Sequence, residues 1–152
     1  MMRKRPKIGD ICEIKTSKGF AYFQYTHKHP SYGSLIRILP GIYKERQRNF
    51  ADLSQIKERF WIFFALGTAC YRNIVQIVDH QNIPDFARIF PLMKIRGLGG
   101  DWWLWDGEKE TKIGELPKQF LDLSYRRIAN DSALINLIED PNYPRSDPYS
   151  RQ

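Results

Sequence analysis

Residues 8–39 carry three short strands separated by tight turns, and this meander constrains the rest of the chain more than any other feature. In Ile8-Gly9-Asp10-Ile11-Cys12-Glu13-Ile14-Lys15, alternation places Ile8, Cys12 and Ile14 on one face and Asp10 at its solvent end. Thr16-Ser17-Lys18-Gly19 supplies turn residues. Residues 20–25 form a second strand with aromatic rings on both faces, which predicts cover on both sides. His27-Lys28-His29-Pro30-Ser31 breaks it. Residues 34–39 form the third, with Ile36 and Ile38 on one side and Leu35, Arg37 and Leu39 on the other, and Pro40-Gly41 ends it. A meander of this size cannot bury its apolar face alone. It must close on itself or pack against later elements, which predicts a β-rich α+β domain with a strongly bent or barrel-like antiparallel sheet and C-terminal helices.

The later chain offers those elements. Asp52 is placed to cap a short helix carrying Leu53 and Ile56. Phe60-Trp61-Ile62-Phe63-Phe64 is apolar in succession and reads as a strand covered on both faces, with a helix running to Tyr71 as the alternative. Residues 74–78 form another strand. Residues 84–92 read as an irregular crossing that packs rings onto the core, and residues 92–96 as a short strand. Trp102-Trp103-Leu104-Trp105 followed by Asp106-Gly107 is the clearest hairpin signal, with the return strand at residues 111–113. Pro117 suits the first turn of a helix bearing Phe120, Leu121, Leu123 and Ile128. A second helix follows Asn130 or Asp131, with Leu134, Leu137 and Ile138 inward and Pro141 as its stop. The expected organisation is a flexible basic tail over residues 1–7, one globular domain over 8–140 and a mobile tail over 141–152.

With 152 residues and an aromatic share of 14%, the chain has bulk enough for one well-filled core. Cys12 and Cys70 make no framework and no CxxC pair, so two reduced thiols of a cytoplasmic protein are expected. No apolar run reaches the ~20 residues that span a bilayer, and no secretory leader is visible. The net charge of +7 favours an acidic partner.

Chemistry-bearing residues are sparse. His27 and His29 would face the same side of a strand, but no carboxylate or thiol nearby in sequence completes a metal set, and zinc needs at least three protein ligands. GxSxG, GxGxxG and GxxxxGK motifs are absent. The carboxylate pairs Glu108 with Glu110 and Glu139 with Asp140 fall in a loop and at a helix end, where solvation accounts for them. No catalytic residue, cofactor or metal is therefore expected. A nucleic-acid face remains an alternative, with Tyr22, Tyr25, Lys28, Tyr32, Arg37, Tyr43, Lys44, Arg46 and Arg48 as its candidates. The tryptophan strand places Trp102 and Leu104 on one face and Trp103 and Trp105 on the other. Exposed tryptophan beside arginine is the usual make-up of an interface hot spot.

The opening Gly9-Asp10-Ile11-Cys12-Glu13-Ile14 and the later Gly19-x-Ala21-Tyr22 strand resemble the start of immunity-protein family twenty-six of bacterial polymorphic-toxin systems. Residues 60–66, 74–84 and Leu104-Trp105-Asp106-Gly107-Glu108 are similar to its later motifs, and the resemblance spans roughly residues 7–125. It implies a non-enzymatic antidote that binds a cognate toxin, without cofactor or catalytic residues. Antidotes that mimic nucleic acid are acidic, so the basic charge here points to a toxin with an acidic contact surface. The expected partner-binding residues are Tyr43, Lys44, Arg46 and Arg48, with Trp103 and Trp105.

Overall fold

Strand alternation builds the meander: β1 (Asp10–Thr16), β2 (Gly19–His29) and β3 (Gly33–Ile38) pair antiparallel in succession, although β2 runs on through His27 to His29, read as its break, because these residues pair with Leu35, Ser34 and Gly33. These elements come from a computed structural model that describes residues 5–149; Met1 to Lys4 of the basic tail, and residues 150–152, lie outside the described residues. Gly19 is needed at its turn, because φ is +137° and a Cβ there would collide with the Tyr43 carbonyl that bonds Phe20. β4 (Phe60–Phe64) lies beside β3 and is buried at every position, and β5 (Val75–His80) lies beside β1. Further along come β6 (Met93–Arg96), β7 (Trp102–Trp105), β8 (Glu110–Gly114), β9 (Ser124–Tyr125) and β10 (Ile128–Ala129). They complete a six-stranded sheet in the order β10-β4-β3-β2-β1-β5 and a four-stranded sheet in the order β8-β7-β6-β9.

The protein is thus a β-rich α+β fold, as expected, but neither sheet closes into a barrel. The β10–β4 and β6–β9 pairs are parallel, so both sheets are mixed. Closure is unnecessary because other elements cover each face. On one face of the large sheet, Cys12, Ile14, Phe23, Ile36, Ile38, Phe60 and Ile62 pack beneath α2 (Leu66–Tyr71) and α3 (Asp131–Glu139). The opposite face has two apolar ends. Ile11, Tyr22 and Leu39 lie under the 42–53 segment with α1 (Phe50–Leu53), and Leu35, Trp61 and Phe63 lie under the small sheet. Between them runs a cross-strand row in which Ile11 pairs Gln24, Gln24 pairs Arg37 and Arg37 pairs Trp61.

Several expectations are corrected. Asp10 is fully buried: its carboxylate accepts from Lys7 N at 2.7 Å and from His80 Nδ1 at 2.9 Å, while Ile8 is the exposed residue. Asn49, not Asp52, caps α1. The helix expected from Pro117 is a single 3-10 turn at Lys118–Phe120. Beyond it the chain turns extended, because Ser124 and Tyr125 complete the small sheet and Ser124 Oγ accepts from Trp61 N at 2.8 Å. β9 and β10 are separated only by Arg126 and Arg127, so the chain crosses from one sheet to the other at two arginines. One C-terminal helix therefore stands where two were expected. Arg59 closes its end, donating to Ile138 O at 2.6 Å and Asp140 O at 2.7 Å. Within the expected mobile tail, residues 141–149 are packed: Tyr143 is buried edge-on against Phe60 at 4.7 Å, and Arg127 grips Asp147.

Candidate functional site

The residues expected to bind a partner are not brought together. Tyr43, Lys44, Arg46 and Arg48 lie on the segment over the Ile11 and Tyr22 end of the large sheet. There Arg46 Nε sits 3.2 Å from Glu13 Oε1 and over the Phe20 ring, and Tyr43 donates its hydroxyl to Pro40 O at 3.2 Å. Trp105 is 3% exposed and belongs to the core between the sheets, which removes it from any surface. Trp103 is half-buried against Gly97. The nucleic-acid face is likewise broken up, because Tyr22, Tyr25 and Arg37 are interior. Arg37 is the largest fully buried side chain. It donates to Gln24 Oε1 at 2.9 Å, to Ile56 O at 3.2 Å, to Glu58 Oε1 at 3.3 Å and to Ser54 O.

The histidine pair serves as a clasp between the sheets. His29 Nδ1 accepts from Ser31 N and Tyr32 N, so its Nε2–H donates to Gly107 O at 2.7 Å. His27 Nε2–H donates to Arg88 O at 2.7 Å. Among the described residues, no group of three His, Cys, Asp or Glu side chains could hold a metal. The thiols of Cys12 and Cys70 share a hydrogen bond that lowers the Cys70 thiol against the opposing effect of burial. Both side chains are buried in the core under α2.

Two surface features stand out instead. The first is the 84–92 crossing. Phe90 packs inward as expected, but Phe86, Ile89 (80% exposed) and Leu92 point to solvent. Ile89 and Ile8 both line a cleft of ≈ 570 Å³. Phe86 covers the Arg37 guanidinium, whose Nη1 bonds the carbonyl of exposed Ile56, and Leu92 borders Lys57 and Glu58. Phe86, Ile89 and Leu92 are thus the exposed apolar side chains of the crossing, with Ile8 beside Ile89 in the same cleft and Ile56 beside the guanidinium that Phe86 covers; together these side chains are termed the ridge.

The second is a cleft of ≈ 650 Å³ at the arginine crossover, lined by Lys94, Arg96, Tyr125, Arg126, Arg127 and the glycine-rich turn after β6. Asp147 enters it, with Oδ1 at 2.9 Å and Oδ2 at 2.5 Å from the Arg127 guanidinium. Burial alone would raise the Asp147 carboxyl, but Arg127, the Tyr149 amide and Lys94 together outweigh it and hold it below its usual range. No sequence signal marked this cleft, since Arg126 and Arg127 lie in what read as a helix and Arg96 at the end of a strand much earlier in the chain.

Lys94 forms its floor, donating Nζ to Leu121 O at 2.7 Å and Pro144 O at 3.0 Å. Burial lowers its ammonium to about 8 against the pull of Asp122. The unfolded chain therefore binds more protons than the folded one between about pH 8 and the ordinary lysine value, and stability must rise with pH there, by about 3 kcal/mol at most. Above about pH 10 the sign reverses. Burial raises Tyr22 to about 12 and also raises Tyr125 and Tyr143, so the unfolded chain loses those protons first. Urea midpoints measured from pH 7 to 11 are expected to peak near pH 10; a steady fall from pH 8 would contradict the buried ammonium.

No helix of the described residues is long and apolar enough to cross a membrane. Compared with family models, with curated proteins and with solved structures, the chain matches none.

Proposed function

We propose that the protein is a non-enzymatic immunity protein of the bacterial cytoplasm that neutralises a cognate toxin by direct contact. The observation that supports it is the apolar ridge. Large apolar side chains gathered in the open, rimmed by charges such as Lys28, Lys57, Arg88 and Glu108, have the composition of a protein-binding surface. The ridge rests on a rigid base, because Phe86 is seated on a guanidinium that four acceptors hold. A preorganised apolar surface loses little entropy when a partner covers it. The net charge of +7 adds attraction toward an acidic partner.

Co-expression with the proposed cognate toxin, sought in the gene adjoining the one for this chain, tests the reading, with growth as the readout. The wild-type protein is expected to restore growth. Ile89→Asp, at a position 80% exposed, is expected to weaken toxin binding at least about tenfold and to reduce rescue while folding is unchanged. Soluble protein that fails to rescue would remove the toxin reading. Rescue that Ile89→Asp leaves intact would move the contact off the ridge.

A further inference from the structure

We infer that the cleft at the arginine crossover is a carboxylate-binding site for an acidic segment of a protein partner. The geometry already shows it holding one carboxylate: Asp147 lies in the cleft with both oxygens on Arg127, and its side chain is 4% exposed. That bidentate arrangement is the one in which a guanidinium recognises a carboxylate best.

The site remains cationic with Asp147 in place. Lys94, Arg96, Arg126 and Arg127 supply four positive charges, and the carboxylates that meet them are Asp147 on Arg127 and Glu110 on Arg126, the latter at 2.5 Å. Asp122 lies close enough to Lys94 to act on its charge but is bonded to Arg145. Arg96 has no ion pair among the described residues and lies over the Trp102 ring at 5.8 Å from its centroid. Arg126 is held over Tyr32 and Trp105 at 5.3 and 5.2 Å, and Arg127 lies over Tyr125, Tyr143 and Tyr149. Arginines fixed on aromatic faces lose little freedom when they bind, and Arg96, stacked without an ion pair among the described residues, keeps its charge for a ligand. The glycine-rich turn beside them leaves the mouth open, since a Cβ at Gly99 or Gly100 would meet no atom within 4 Å. A peptide carrying successive carboxylates therefore finds exposed Arg96 without an ion pair among the described residues and half-buried Arg126 and Arg127 in the same cleft.

The cleft shares no lining residue with the cleft beside the ridge, so this inference goes beyond the toxin reading and stands apart from it. Its test is fluorescence anisotropy of a labelled oligoglutamate peptide at low salt, with an oligothymidylate of equal length as the second arm. The wild-type protein is expected to bind oligoglutamate more tightly than oligothymidylate. Arg96→Glu is expected to lower the affinity for oligoglutamate at least about tenfold. Arg48→Glu makes the same change of charge at an exposed position on the other end of the large sheet and is expected to change it less than about twofold. Equal losses in the two variants would mean attraction to net charge alone and would overturn the site. Absence of oligoglutamate binding, or tighter binding of oligothymidylate, would overturn it as well. None of these results bears on rescue through Ile89.

Discussion

Replacing Arg37 by Met is expected to destabilise the fold by about 3–5 kcal/mol, measured as a drop in urea midpoint at constant slope. The guanidinium is fully buried in the row between Gln24 and Trp61, and it serves four acceptors from two segments. Methionine fills much of the same space but leaves the carbonyls of Ser54 and Ile56, the Gln24 amide oxygen and the Glu58 carboxylate without their donor. An abandoned buried acceptor costs about 1–3 kcal/mol, and a charged one more. Glu58 supplies the diagnostic. Its side chain is 7% exposed, so with Arg37 gone it is a buried charge without a counter-ion. Glu58→Gln should therefore destabilise the wild-type protein and recover part of the loss in Arg37→Met. If the two substitutions simply add, the pair is not coupled and the network argument fails. Arg37→Lys should also lose most of the stabilisation, because an ammonium cannot span acceptors set around a planar fork.

Arg37 also marks the limit of what the sequence discloses. Its strand was legible, since Ile36 and Ile38 alternate with it, and alternation, the apolar run at residues 60–64 and the Asp-Gly turn together located β1 to β8 to within about four residues. Alternation says which residues share a face. It does not say what covers that face. A long cation opposite a core face reads as solvent-directed, yet the 54–58 segment folds over Arg37, and Lys94 in β6 is buried in the same manner under Leu121 and Pro144. The two-residue strands β9 and β10 have no period at all. The apolar spacing around Phe120 imitated a helix, but the chain makes only one 3-10 turn before Ser124 and Tyr125 pair with β6 and Ile128 and Ala129 pair with β4. The ridge escaped notice for the opposite reason. The crossing holds four large apolar side chains, Phe86, Ile89, Phe90 and Leu92, and only the tertiary fold decides that Phe90 turns in while the rest stay out.

Both proposed contacts depend on how the small sheet is held against the large one. The ridge sits on the segment that leads from β5 to β6, and the arginine cleft on the two residues that lead from β9 to β10. The small sheet reaches the large one through a compact aromatic cluster rather than through a shared strand ladder. A defect in that cluster should therefore weaken both surfaces while the meander, with its own cores under α2, α3 and α1, is less affected.

Trp105→Ala tests that dependence and is expected to cost about 3–5 kcal/mol. The indole meets Phe90 edge-on at 5.5 Å, Tyr32 at 5.2 Å, His29 at 5.1 Å and Phe63 at 6.0 Å, so it touches both sheets and the crossing between them. Truncation opens a large void that rings fixed on separate elements cannot collapse to fill. Trp103→Ala, two positions away and half-buried, is expected to cost only about 1 kcal/mol. The loss at Trp105 should also be local in its effect on dynamics. Hydrogen exchange is expected to accelerate first at β6 and β7, whose ladder rests on the cluster, while amides of β1 and β2 keep more of their protection. Arg126, which lies over the same indole, should lose its position, so oligoglutamate binding should weaken in a variant that leaves every cleft cation in place. Equal stability losses at Trp103 and Trp105, or uniform acceleration of exchange across both sheets, would show that the sheets are joined by something other than this cluster.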